Sequence, residues 1–309
     1  MSNQQDQIRT EITNRIVESI KGGNLPPWRK SWANDANCGA SANVVSRKRY
    51  TGINPLILQL AAMNHGFNSK WWGTMKQWND LGARVKRRPD HVAPGLWSTK
   101  ILYFSPITKK KIDANGVEKE DKFFFMKTYS VFNIDQVEGD LDHLRAGNAP
   151  LTQIEIDGRY QAAEKAIAAI PVEILYGGNQ AYYDPTNDRI HMPHRHQFTS
   201  SLDRFYETCG HELVHFSERR LNWDRKNSGY AMGELIAEIG ACFWCAELGL
   251  SMEDFNQNCS YLKGWLAAME NDHSFIFKAA AQSSRAITFL LSFSRTEEAV
   301  TETEPELVA

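Results

Sequence analysis

The chain changes hydrophobic period several times, and each period predicts an element. Ile8, Ile12, Ile16 and Ile20 recur every four residues among polar neighbours, which is one face of an α-helix, and Gly22-Gly23 stops it. Residues 24–50 carry no period and read as loop. A second helix is predicted from Asn54 as N-cap, with Pro55 in its first turn, to Gly66. Thr74-Met75-Lys76-Gln77 is a capping-box sequence opening a short third helix that ends at Gly82. Residues 99–105 and 122–133 are β-branched and aromatic and read as strands. Lys109-Lys110-Lys111 and Asn115-Gly116 between them read as a long basic hairpin loop.

Beyond residue 150 the helical period returns over 154–170, followed by a short strand at 172–176. Residues 181–183 and 189–192 flank Asp184-Pro185-Thr186-Asn187-Asp188 and read as a hairpin. Helices are then predicted over about 199–220, 229–248 and 252–293, the last one broken. Strands followed by helices indicate an α+β fold.

Composition sharpens this picture. The 309 residues carry a net charge of −2, which taken alone argues against a nucleic-acid partner. The charge is split, however. Residues 1–139 hold 21 Lys and Arg against 12 Asp and Glu, a net +9, and residues 140–309 hold 14 against 25, a net −11. Six of the nine tryptophans fall in the basic part. Two domains are therefore expected: a basic, Trp-rich α/β domain over 1–139 and a second over 151–293, with a disordered acidic tail over 294–309. No run is long and apolar enough for a membrane helix. No secretory signal is visible, and five sparse cysteines suit a reducing cytoplasm.

His211-Glu212-Leu213-Val214-His215 is an HExxH sequence inside a helical pattern. Four residues make about one turn, so both imidazoles share a face and can grip one ion. Glu212 lies beside them as candidate general base, because a zinc-bound water with a pKa near about 7 has a proton to give. A catalytic zinc needs a third protein ligand. Glu218 and Leu221 stand where the longer HExxHxxGxxH pattern has its glycine and third histidine. The next helix supplies Glu234 and Glu238, one turn apart in an apolar run, and Glu234 is assigned as third ligand. Glu238 is then placed to accept the outer N–H of a ligand histidine. Zinc is the expected metal, with Mn2+, cobalt or nickel as alternatives.

The hairpin strand Asp188-Arg189-Ile190-His191-Met192-Pro193 precedes the metal helix, where an edge strand can bind an extended peptide. His191, His194 and His196 read as surface histidines rather than a second metal site. Tyr183 and Tyr230 are candidate donors to an oxyanion, with core packing the better reading. Cys242 and Cys245 read as buried helix cysteines. In the basic part, Arg47, Lys48, Arg49, Tyr50, Trp71, Trp72, Lys76, Arg84, Lys86, Arg87, Arg88 and Lys109 to Lys111 mix cations with aromatic rings. That mixture suits single-stranded nucleic acid, held largely without regard to sequence.

Several motifs in both halves resemble the ArdC antirestriction family of plasmids and phages. In the first half they are Pro27-Trp28-Arg29-Lys30-Ser31-Trp32, Arg49-Tyr50-Thr51-Gly52-Ile53-Asn54, Trp71-Trp72-Gly73-Thr74-Met75-Lys76-Gln77 and Tyr129-Ser130-Val131-Phe132-Asn133. In the second half they are Ile190-His191-Met192-Pro193, the HExxH, Arg220-Leu221-Asn222 and the stretch from Glu234 to Leu248. The resemblance implies an N-terminal single-stranded-DNA-binding domain and a zincin-like metallopeptidase domain with a gluzincin-type HExxH…E site. It also implies a cytoplasmic protein of a mobile element that protects incoming DNA from host restriction. Two other readings stand beside it. One is an active zinc peptidase cleaving a host protein, with DNA binding used for placement. The other is a DNA-binding protein whose metal is purely structural.

Overall fold

The computed structural model describes residues 3–29, 39–112, 118–145, 153–223, 229–252 and 260–295. It is α+β, as the hydrophobic patterns indicate. The first half contains α1 (Asn3–Lys21), β1 (Ala42–Asn43), α2 (Asn54–His65), β2 (Trp71–Gly73), α3 (Met75–Asp80), β3 (Arg84–Val85), β4 (Thr99–Ile112), β5 (Glu118–Asn133), β6 (Val137–Glu138) and α4 (Asp142–Arg145). Its main sheet runs β1-β2-β5-β4, and β3 pairs with β6.

The capping box of α3 forms as expected: the Gln77 amide N–H donates to Thr74 Oγ1 at 3.2 Å, and the Thr74 N–H donates to Gln77 Oε1 at 2.9 Å. The N-cap of α2 differs from expectation. Ile53 holds that position, and Asn54 turns its amide to β4, donating to the Leu102 carbonyl at 2.7 Å and accepting its N–H at 2.8 Å. A two-bond lock onto a strand edge satisfies the amide more fully than one helix N–H would. Gly66 ends α2 in the left-handed conformation at φ 73°.

The β4–β5 hairpin is longer than expected. Lys109, Lys110 and Lys111 belong to the strand and face Asp121, Glu120 and Lys119 in register. The backbone pairing continues through the lysine run to Ile112 opposite Glu118. Asn115-Gly116 and Lys30-Ser31-Trp32 lie outside the described residues, as does the proposed acidic tail from residue 296 onward.

The second half contains α5 (Gln153–Ala169), β7 (Glu173–Tyr176), β8 (Tyr182–Asp184), β9 (Arg189–Met192), α6 (Leu202–Ser217), α7 (Tyr230–Leu248), α8 (Ser260–Asn271) and α9 (Phe275–Ser292). The long C-terminal pattern breaks between α8 and α9, where Asp272 accepts from the N–H and hydroxyl of Ser274 at 2.8 and 2.6 Å. The sheet order is β7-β9-β8. The strand before the metal helix is therefore central and paired on both sides, not an edge; β8 is the edge antiparallel to it.

Helices α6 and α7 pack closely because glycines face bulky groups. A Cβ on Gly210 would stand 2.6 Å from Trp244 Cδ1, and one on Gly240 2.6 Å from Val214 Cγ2. The largest core joins both halves: Ile16, Trp28 and Leu56 pack in the same cluster as Phe205, Leu213, Leu235 and Trp265. Among the described residues no helix is long and apolar enough to cross a membrane.

Candidate metal centre

Ser201 caps α6 by accepting the Asp203 N–H at 3.0 Å, and the helix then carries His211 and His215 on one face, with ring centroids 4.9 Å apart. Helix α7 brings Glu234 opposite them. His211 Nε2 lies 3.6 Å from Glu234 Oε2, and His215 Nε2 lies 3.8 Å from Glu234 Oε1. All three donors fall within 4.8 Å of one another. The edge of a tetrahedral zinc site with N and O ligands is about 3.4 Å, so these three groups fit one divalent ion with little movement.

The surroundings favour a cation. Burial opposes the charged form of His211, but the facing Glu234 carboxylate and the charges of Glu212 and Glu238 outweigh that and push its pKa up. Glu212 itself is buried beside His211. His215 Nδ1 lies 2.6 Å from Glu218 Oε1. A carboxylate there holds the proton on Nδ1 and leaves the Nε2 lone pair to face the other donors. Sequence reasoning noted Glu218 only as the occupant of another pattern's glycine place. The readable signal was an acid three residues after a ligand histidine, on the same helix face.

Glu238 does not sit on a ligand histidine. It accepts from Arg29 Nε at 2.5 Å, a cation from the first half of the chain. The Tyr183 hydroxyl donates to Asp188 at 2.6 Å, and the exposed Tyr230 pairs its hydroxyl with that of Tyr261 at 3.0 Å. His191 stacks on Tyr182, and His194 on His196. Among the described residues, His211, His215 and Glu234 are the one group arranged to hold a metal. Cys242 and Cys245 are buried, and that burial pushes both thiols well up.

The candidate DNA residues divide. Trp71 is half-buried on the β1–β2 side, with Arg47 4.6 Å and Lys70 5.0 Å from its ring centre. Lys48 and Arg87 are exposed. Lys76 is exposed and pairs with Asp80 at 3.0 Å. Trp72, offered as a stacking surface, is instead in the core at 1% exposure, because successive strand residues face opposite sides of the sheet. Arg49 is drawn to Glu247 on α7, and Tyr50 is half-buried within reach of the Asn43 amide at 3.3 Å. Lys86 donates to the Asp135 carbonyl at 2.9 Å, Arg88 to the carbonyls of Val92 and Pro89, and Arg84 pairs with Glu138. The side chains of Lys109 to Lys111 lie outside the described residues.

Residues 6–132 match the family described as the N-terminal domain of anti-restriction factor ArdC, and residues 161–282 match the zincin-like metallopeptidase family. The crystal structure of the antirestriction ArdC protein from plasmid R388, metal-free, is 31% identical. It superposes with a TM-score of 0.70, covering 93% of this chain and 97% of that one. Its Mn(II)-bound form is 30% identical with a TM-score of 0.67, covering 94% and 99%. The uncharacterised protein y4eC of Sinorhizobium fredii is 30% identical over 90% of this chain and 89% of its own length. The Escherichia coli DNA primase TraC is 32% identical over 92% of this chain, which spans 27% of that larger protein.

Proposed function

Because the chain belongs to the ArdC antirestriction family, we propose that it binds single-stranded DNA through residues 1–139 and holds a divalent metal on His211, His215 and Glu234, in the service of protecting a mobile element's DNA from restriction. The observation that carries the metal part is the three-donor cluster at 3.6 and 3.8 Å, with Glu218 fixing His215 from behind. Zinc suits two imidazoles and a carboxylate, and Mn2+ is the alternative, since the R388 protein was crystallised with Mn(II). When bound, the ion supplies Lewis acidity for hydrolysis at neutral pH.

The chain's own residues support a second, hydrolytic reading, cleavage of a host protein. Glu212 is buried beside the donors, where a carboxylate can take a proton from an attacking water and return it to a leaving amine. Among the described residues β8 is an edge of its sheet, where an extended peptide can add as a further strand. On the DNA side, Arg47 and Lys70 around Trp71 combine phosphate charge with a stacking ring.

The two readings separate with one variant. Glu212→Gln should retain metal and DNA binding. Loss of protection of unmodified DNA in a restricting host assigns the activity to hydrolysis. Full protection leaves DNA binding as the active principle and gives the metal a structural role.

A further inference from the structure

Pro27-Trp28-Arg29 belongs to the half read as DNA-binding, yet its side chains point into the metal-bearing helices. Trp28 is 3% exposed and meets Trp265 of α8 edge-on at 6.4 Å. Arg29 passes between α6 and α7. Its Nε donates to Glu238 Oε1 at 2.5 Å, and its Nη1 donates to Glu207 Oε1. All three side chains are nearly enclosed, at 12% exposure for the arginine and 11% for each carboxylate. Glu207 lies one turn before His211 on α6. Glu238 lies one turn after Glu234 on α7. One guanidinium therefore ties together the two helices that carry the metal donors, a single turn away from them.

We propose that Arg29 is a positioning residue of the metal centre, supplied by the N-terminal half, which sets the α6–α7 spacing through Glu207 and Glu238. This inference rests on the metal reading above. Without the cation, two enclosed carboxylates would face each other near Glu212 and Glu234, and like charges in a poorly hydrated site repel strongly. The helices would separate at the contacts that Gly210 and Gly240 make close, and Glu234 would move away from His211 and His215. With the cation in place, the forked guanidinium satisfies one carboxylate on each helix. Arg29 acts through these two carboxylates. By linkage, a metal that prefers the closed spacing also strengthens the seating of Arg29.

The test is metal affinity of the full-length protein, measured by calorimetric titration with zinc and with manganese. Arg29→Met should weaken binding about 10- to 100-fold, as loss of groups behind a ligand generally does. Arg29→Lys should fall between Arg29→Met and wild type, because one ammonium cannot fork to two carboxylates. The triple variant Arg29→Met, Glu207→Gln, Glu238→Gln, which removes all three charges, should return to within about threefold of wild type, since the repulsion is gone. A clamp that only holds the halves together would lower the melting temperature without metal and leave affinity untouched. Wild-type affinity in Arg29→Met and Arg29→Lys overturns the proposal, as does a triple variant no better than Arg29→Met. Should Arg29→Met fail to fold, wild-type affinity in Arg29→Lys overturns it alone. A wild-type protein that takes up neither metal overturns the metal reading and this inference together.

Discussion

His215 is addressed by two carboxylates at its two nitrogens, and they do different things. Glu234 shares Nε2's side of the ring as a co-ligand, whereas Glu218 holds Nδ1. Glu234→Ala should abolish metal uptake, read by elemental analysis of the purified protein. Glu218→Ala should keep the stoichiometry and weaken affinity about 10- to 100-fold, read by chelator competition. Neighbouring tryptophans separate in the same manner. Trp72→Ala should cost about 3–5 kcal/mol of stability by denaturant unfolding, because it empties a core site. Trp71→Ala, at a half-buried site, should cost less stability than Trp72→Ala and weaken single-stranded DNA binding by about 1–3 kcal/mol, one lost stacking partner. At this scale the HExxH was legible because its meaning is local: one turn of helix decides which way two rings point. The role of Glu238 was not, because its partner Arg29 is 209 residues away in sequence and no period announces it.

Elements with their own caps and periods were readable: α1 by its isoleucine stripe, α3 by its box, α6 and α7 by their length. The end of β4 was not, because a lysine run looks like loop until its cross-strand partners are known. Nor was the central place of β9, since β7 reaches it in parallel through a connection that the local pattern does not contain. The close approach of α6 and α7 gives an element-scale test. Gly240→Ala must push against Val214, and overpacking of this kind costs about 1–3 kcal/mol. The same variant should weaken metal binding, because the donors come from both helices. At the start of α9, hydrogen bonds from Ser274 and then Lys278 pull the Asp272 carboxyl down to about 2 from an ordinary 3.8. A carboxyl lowered by folding adds stability above its ordinary value and loses it as the pH falls from there toward 2. The group is half-exposed, so the contribution is small. Asp272→Asn should flatten this part of the acid-unfolding curve without shifting the profile at neutral pH.

At the scale of the whole molecule, the charge split of the sequence and the architecture do not coincide. The basic half and the acidic half share one core, and the cation Arg29 crosses between them. DNA binding should therefore be measured on the full chain. A strand that neutralises four phosphates should lose roughly fifty-fold in affinity between about 50 and 200 mM salt. A flat salt response would remove the basic half from the interface. The seam has a further consequence, for inheritance. A recombination joint placed between residues 139 and 151 would hand Glu207 and Glu238 to a new neighbour without their cation, and leaving such a charge buried and unpaired costs about 3–5 kcal/mol. Selection would discard most such chimaeras. The two halves are thus bound to travel between replicons as a single cassette, and shuffling can attach new domains to its ends more readily than it can divide it.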